Sequence, residues 1–555
     1  MNAKLRVAGI CAALAVLATM VLLLVRPSID PARIRPLVFI VAAWLAFLAA
    51  AWLLRKVPLR MSVVLILLGG IAIQLAALSA PPQNSNDLYR YIWDGKVQAA
   101  GIDPYAYSPA SRHLHGLRND FLWHPGAGYC VQPSNFFAGG CTRINRPTVH
   151  TIYPPVAEAY FLGVHYLPDA TTSTTPIQAT TAGFAVLTTG LLLFGLRRLR
   201  RDMRMAALWS WCPTVALEAG NSAHVDVVAV AVTAAALLVL ATARTRRRTV
   251  IGGVLLGLAI ATKMTPALVV PAVLRRRWLL VAASAASAVT VVYIPHLLAV
   301  GGKVIGFIPG YLQQEGYDNG TRFGIIDLVA SGKAAIVIAV LVLAAVALVV
   351  LRFTDPDQPW RGAVVMTAAA LAVTTPHYQW YALLLVMLVA LDGRPEWLAF
   401  AAGGYYSAEP NLGRYTVPAS YHNAVGYGVP VLIVTAGWLV RRQLAKRAAP
   451  AQPPLPVLPQ RQPRTEPAAL PAATALPAAT ALPAATAPVG TACTPATVMA
   501  TPAVTTAAVT TTAGAAPWAD AVPAGVVAAE EHAISAPPLR SILVDDAPLP
   551  RRVRV

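Results

Sequence analysis

The feature that most constrains this chain is a succession of apolar blocks, punctuated by short clusters of arginine and lysine. Each block is near the roughly 20 residues that cross a bilayer as a helix. A segment that leaves water must satisfy every backbone N–H and C=O internally, so repeated blocks of this kind predict an all-α polytopic membrane protein. Composition agrees, since only 12% of residues are charged, about half the share of a soluble domain. The blocks predict helices near 5–25, 36–54, 61–80, 175–196, 205–220, 224–242, 278–299, 334–351, 361–375, 379–391, 397–408 and 428–440, a bundle of about 11–13 transmembrane helices over residues 1–447. The first block starts basic, like a signal peptide, but lacks a small-residue cleavage pattern and is expected to remain as a helix.

The net charge of +20 sits in clusters between the blocks, where the positive-inside rule places them, so it reads as topology and no nucleic-acid partner is expected. These clusters are Arg55, Lys56 and Arg60, then "RRLRRDMR" from Arg197, "RTRRR" from Arg244, "RRR" from Arg275 and "RRQLAKR" from Arg441. With all of them cytoplasmic, both termini are inside and residues 81–170 form a large first extracytoplasmic loop. The stretches 219–226, 301–323 and 374–380 then face the same side as that loop. Residues 250–274 carry basic clusters at both ends and are interrupted by Lys263 and Pro266. Two half-helices that dip in and return fit this best; a single kinked crossing is the other reading.

After Arg447 the composition changes to Pro, Ala and Thr, with the tandem "LPAATALPAATALPAATA" from Leu470. No apolar period there can build a core, so 448–555 is expected to be a disordered, low-complexity cytoplasmic tail. Of five cysteines only Cys130 and Cys141 share one loop. They are a disulfide candidate in an oxidising compartment, with two free thiols as the alternative.

The segment "NSNDLYRYIWDGKVQAAGIDPYAYSP", residues 84–109, follows the third block. Asn84, Ser85 and Asn86 are capping residues and Gly101 and Pro104 are stops, which predicts a short interfacial helix from 87 to about 99. Leu88, Ile92, Gly95 and Ala99 share one stripe, and Asp87, Arg90, Tyr91, Asp94 and Gln98 share the other. The carboxylates can be capping and salt-bridge groups around Arg90. Equally, one of them can act as a general base toward a hydroxyl.

"NDLYRYIWDGKVQAAGIDPYAYSP" resembles the first extracytoplasmic loop motif of bacterial polytopic glycosyltransferases of the GT-C superfamily, particularly the mannosyltransferase-like proteins near glycosyltransferase family 87. "TIYPPVAEAYF" from Thr151, "EAGNSAHVD" from Glu218 and "ATKMTPALVVPAVL" from Ala261 resemble further segments in the same order. The resemblance covers about residues 1–445 and implies a GT-C-like bundle in a bacterial-type plasma membrane. It implies a hexosyltransferase that moves a sugar, mannose by this resemblance, from a polyprenyl-phosphate donor to a hydroxyl of a lipid-linked or cell-envelope glycan, with inversion, on the extracytoplasmic face. The family's base maps onto Asp87, with Asp94 second.

A leaving lipid phosphate needs oriented cations or donors, for which Arg90, Lys263, His224, Arg322 and His377 are candidates. Tyr91, Trp93 and Tyr153 suit a sugar ring, and His224 and Asp226 are candidate donor or acceptor contacts. Tyr153 in "TIYPPV" also has an architectural reading, as part of a stiff extended connection. His224 and Asp226, two residues apart, make a poor chelate on a helix and no zinc spacing is present, so no resident metal or other cofactor is expected. The alternative function is a glycolipid flippase or transporter, which predicts matching broken helices in two halves. Only one broken block is legible here.

Overall fold

The computed structural model describes residues 3–26, 34–126, 136–137, 140–408 and 419–448. The first three apolar blocks form α1 (Ala3–Val25), α2 (Ile34–Leu54) and α3 (Leu59–Ala77). The loop that follows contains α4 (Asp87–Ala99) and α5 (Pro155–His165), and leads to α6 (Thr175–Arg198) and α7 (Ala207–Ser210). Next come α8 (Asp226–Ala241), α9 (Arg246–Ile260), α10 (Val270–Val273), α11 (Trp278–Val300) and α12 (Ile308–Gln314). The chain continues through α13 (Gly332–Phe353), α14 (Pro359–Thr374), α15 (Leu383–Asp392), α16 (Ala399–Ala408) and α17 (Ala419–Ala448). A small antiparallel sheet in the loop, β1 (Trp123–His124), β2 (Phe136–Phe137) and β3 (Gly140–Thr142) in the order β1-β3-β2, is the one departure from an all-helical chain among the described residues. The tail expected to be disordered lies outside the described residues from 449 onward.

Seven helical stretches among the described residues are long and apolar enough to cross a membrane: α1, 37–54 of α2, α3, α6, Trp278–Gln314, α13 and Tyr421–Leu444 of α17. A bent pair, the π-helical Val215–Asn221 and α8 at 116°, would make an eighth. This is fewer than the 11–13 expected. The blocks at 361–375, 379–391 and 397–408 fold as α14, α15 and α16, with 16, 10 and 10 residues. At about 1.5 Å per residue these fall short of a ~30 Å hydrocarbon core. α15 is enclosed by protein, with every residue buried, whereas α13 exposes Val340, Leu341 and Leu348 and α17 exposes Leu432 and Trp438. An apolar run reads the same whether its neighbours are lipid or other helices.

The segment between the two arginine clusters does return on itself. Arg277 donates to the Arg244 carbonyl oxygen at 3.1 Å and to Thr249 Oγ1 at 3.4 Å. Arg244 and Arg276 both reach Asp357, at 3.3 and 3.0 Å. The two ends therefore lie together, as a pair of half-helices requires and a single kinked crossing forbids. Lys263, between α9 and the 3-10 turn Thr265–Val269, stands near the turning point.

α4 spans the residues the capping pattern predicts, yet it is buried on almost every side rather than lying with one stripe in an interface. Gly95 explains how closely it is held. A Cβ there would stand 2.5 Å from the Phe161 carbonyl oxygen, so only glycine lets α4 meet the α5 backbone. Tyr91 stacks on Phe161 with centroids 4.4 Å apart and planes at 8°, and Trp93 packs edge-on to Trp123 at 5.4 Å.

Candidate active site

The chain entering α4 is fixed from the bend before α8. Asn221 donates from Nδ2 to the carbonyl oxygens of Ala77 and Ala80, both at 3.1 Å, and its Oδ1 accepts the Gln83 N–H at 3.0 Å. Gln178 of α6 donates to the Asn221 carbonyl oxygen at 2.6 Å. Ser85 Oγ accepts the Asp87 N–H at 3.1 Å, the N-cap residue Asn86 makes no side-chain cap, and the Asp87 carboxylate is left for other partners.

That carboxylate faces a cavity of about 680 Å³. Polar groups on its wall include Asn84, Asp87, Arg90, Asn145, Arg146, His150 and Lys263. Its aromatic surface comes from Tyr153, Phe307, Tyr311, Tyr317, Tyr378, Trp380 and Tyr381. Asp87 Oδ1 accepts from Asn145 Nδ2, and Oδ2 lies 3.8 Å from His224 Nδ1. His224 is buried and stacked on Trp380 at 3.8 Å, and Trp380 in turn stacks on Tyr378 at 4.6 Å. On its far side His224 Nε2 is 3.6 Å from Glu218 Oε2, while Glu218 Oε1 accepts from the Tyr405 hydroxyl at 2.9 Å.

Three cations share the cavity with Asp87. Lys263 Nζ lies 3.2 Å from Asp226 Oδ2 and 5.3 Å from the Tyr153 ring centroid. Arg90 spends Nε on Asp94 and Nη1 on the Val149 carbonyl oxygen at 3.2 Å, leaving Nη2 without a hydrogen-bond partner. Arg146 donates from Nε to Gln314 Oε1 at 3.0 Å, with a backbone φ of +46°. A non-glycine residue in that left-handed region is strained, and such strain gathers where a site needs a particular side-chain direction. The aromatic faces suit a sugar ring, the cations suit a phosphate, and the carboxylate suits proton removal.

Of the residues singled out from sequence, Asp87, Arg90, Tyr153 and Lys263 line the cavity, with His224 and Asp226 directly against them. Asp94, Tyr91, Trp93, Arg322 and His377 are not in the lining. Asp94 is buried behind α4, where Arg90 Nε holds its two oxygens at 2.9 and 3.0 Å. Tyr91 and Trp93 are core packing groups. Arg322 is turned onto Glu315, Nη1 to Oε2 at 2.9 Å, and the same Glu315 accepts from the Tyr378 hydroxyl at 2.9 Å, so Arg322 supports the aromatic wall from behind. Cys141 is disulfide-bonded; Cys130, its expected partner, lies outside the described residues. Among the described residues no three His, Cys, Asp or Glu side chains are grouped so as to hold a metal ion.

Sequence reasoning missed Asn145 and Arg146, in "RINRP", and Tyr378 and Trp380, in "TPHYQW". The second stretch carried a usable signal, two aromatics flanking a glutamine beside the histidine that drew attention. Asn145 and Arg146 reach the site only through the return of the loop from β3.

Residues 151–376 match the model of glycosyltransferase family 87. The resemblance read from the sequence is thus borne out over that stretch, and family 87 indicates a glycosyltransferase. The family-87 match includes Tyr153, His224, Asp226, Lys263 and Arg322, begins after α4, and ends one residue before His377. No curated protein and no solved structure matches the chain.

Within the matched stretch, Glu158 of α5 completes the network behind Arg90. It accepts from Thr151 Oγ1 at 2.7 Å and from Gln98 Nε2 at 2.9 Å. Burial, and next the Asp94 carboxylate, push the Glu158 carboxyl well above its usual range. The unfolded chain releases this proton above about pH 4.3 while the folded chain keeps it. Stability from this group is therefore present below the unfolded titration and is lost as pH rises toward the folded one. Glu158→Gln is expected to flatten the fall in thermal stability as pH rises above about 5. Asp94→Asn, which strands Arg90, is expected to lower thermal stability. Thermal unfolding of the detergent-solubilised variants across that pH range checks both.

Proposed function

We propose that this chain is a membrane glycosyltransferase that moves a hexose, mannose by family resemblance, from a polyprenyl-phosphate donor to a hydroxyl of a lipid-linked or cell-envelope glycan. The observation that carries this reading is one cavity holding a single carboxylate, Asp87, together with Lys263, Arg90 and Arg146. Asp87 takes the proton from the acceptor hydroxyl as that oxygen bonds to the anomeric carbon. The bond from that carbon to the phosphate oxygen breaks on the opposite face, so the configuration inverts. The leaving lipid phosphate is met by guanidinium and ammonium groups already held in place, which need no reorganisation as charge develops. Tyr378, backed by Trp380, offers a stacking surface for the sugar, and no resident metal is required in this scheme.

Sidedness supports an extracytoplasmic site. α6 and α8 each run between the cavity and the clusters at Arg197–Arg204 and Arg244–Arg248, and the positive-inside rule favours an outer face for the cavity. The test compares donors in membranes containing the full chain. Polyprenyl-phosphomannose is expected to support transfer and guanosine-diphosphate mannose is not, after endogenous synthesis of the lipid donor is blocked. Transfer from the nucleotide sugar alone would overturn the assignment of donor.

A further inference from the structure

A second cavity lies at the opposite end of the bundle. α6 leaves the Asp87 side at Thr175 and ends at Arg198, about 36 Å away for 24 helical residues, and α8 runs in the same sense from Asp226 to Ala241. Where they end, a groove of about 620 Å³ is lined by Arg198, Arg201, Arg244, Arg248, Asp357 and Trp360, among others. Asp357 is the one acid of that lining, against four arginines. It is already engaged by Arg244 and, from outside the lining, by Arg276.

Charge that merely sets topology needs no fixed geometry, but parts of this groove are held. Arg201 donates from Nη2 to the Asp392 carbonyl oxygen at 2.8 Å, and its guanidinium lies 5.4 Å from the Trp360 ring centroid. Trp360 is 1% exposed, and its indole N–H has no partner. Arg198 and Arg248 form no side-chain hydrogen bond or ion pair among the described residues. The result is a set of guanidinium groups in excess over one carboxylate, around one hydrogen-bonded arginine, at the end of the bundle remote from Asp87.

We propose that this groove binds a phosphate-bearing anion at the membrane face remote from sugar transfer. The forked, planar guanidinium pairs with two phosphate oxygens at once, which an ammonium cannot do. Basic pockets between helices on the cytoplasmic side are suited to anionic head groups. The ligand is thus an anionic phosphate group, supplied by a lipid head group or by phosphate in solution.

The test keeps charge and topology constant and changes only the fork. The purified full chain, stripped of lipid, is compared with Arg248→Lys and with Arg198→Lys/Arg248→Lys. Each is titrated with phosphatidylglycerol, with phosphatidylcholine and with inorganic phosphate, and bound ligand is counted by native mass spectrometry. Phosphatidylglycerol binding at least tenfold tighter in the wild type than in the double variant, with the single variant between them, supports a lipid source. The same ranking with inorganic phosphate and no preference for phosphatidylglycerol over phosphatidylcholine supports a soluble source. Equal binding of every ligand by the wild type and both variants overturns the proposal.

Discussion

Asp87→Asn is expected to remove sugar transfer while leaving donor binding near the wild-type level. A positioned base contributes about 10²–10⁴-fold to such a step, and an amide of the same shape cannot accept the hydroxyl proton. The substitution leaves the fold little changed, because Ser85 Oγ, not Asp87, accepts the first helical N–H. The lost interaction of the carboxylate with the start of α4 is worth about 0.3–1 kcal/mol. The fall should therefore appear in kcat, with KM for the donor unchanged, when initial rates are measured in solubilised membranes at matched expression. If Asp87 were only a structural carboxylate, Asp87→Asn would keep kcat within a few-fold of wild type. Asp94→Asn gives the contrast: its carboxylate is closed off by Arg90 and lies outside the cavity, so its effect should be on stability first.

Lys263→Gln carries the second large effect, and it acts twice. In the cavity it removes a cation from the place where the leaving phosphate gains charge, an interaction worth roughly 10²–10³-fold in rate by comparison with single donors in other anion-stabilising sites. Behind the cavity it strands Asp226, which is 3% exposed at its side chain; breaking a buried pair from one side costs about 3–5 kcal/mol. The two effects separate in the double variant Lys263→Gln/Asp226→Asn. Thermal unfolding should recover most of the lost stability, because no unpaired charge remains, while transfer stays low. Recovery of both stability and transfer would mean that Lys263 serves only to neutralise Asp226.

The roles of these two residues show where sequence is informative. α4 was legible because its caps, stops and periodicity are local, and the return of residues 250–274 was legible because charge at both ends conflicts with a single crossing. The position of Lys263 was harder to read. A lysine in the middle of an apolar block says that the block is broken, but not that the break reaches the carboxylate that follows α3. Burial was the larger loss. Tyr91 and Trp93 sit in a motif with Asp87, and nothing in the spacing tells a ring stacked on Phe161 from one stacked on a sugar. Asn145 and Arg146 come to Asp87 across more than 50 residues of loop, and a contact of that range leaves no periodic trace. The enclosure of α15 leaves no trace for a related reason, since a helix wrapped by protein is as apolar as one wrapped by lipid.

The central claim, transfer from a lipid phosphate using Asp87 as base, is tested most directly by the product. Membranes containing equal amounts of wild-type protein or Asp87→Asn are supplied with radiolabelled polyprenyl-phosphomannose, and label in glycolipid or glycan acceptors is counted together with released polyprenyl phosphate. The account predicts incorporation with stoichiometric release of polyprenyl phosphate by the wild type and neither by the variant. Equal incorporation by both would contradict the assignment of Asp87, and no incorporation by the wild type in membranes that hold their native acceptors would contradict the donor and the reaction together.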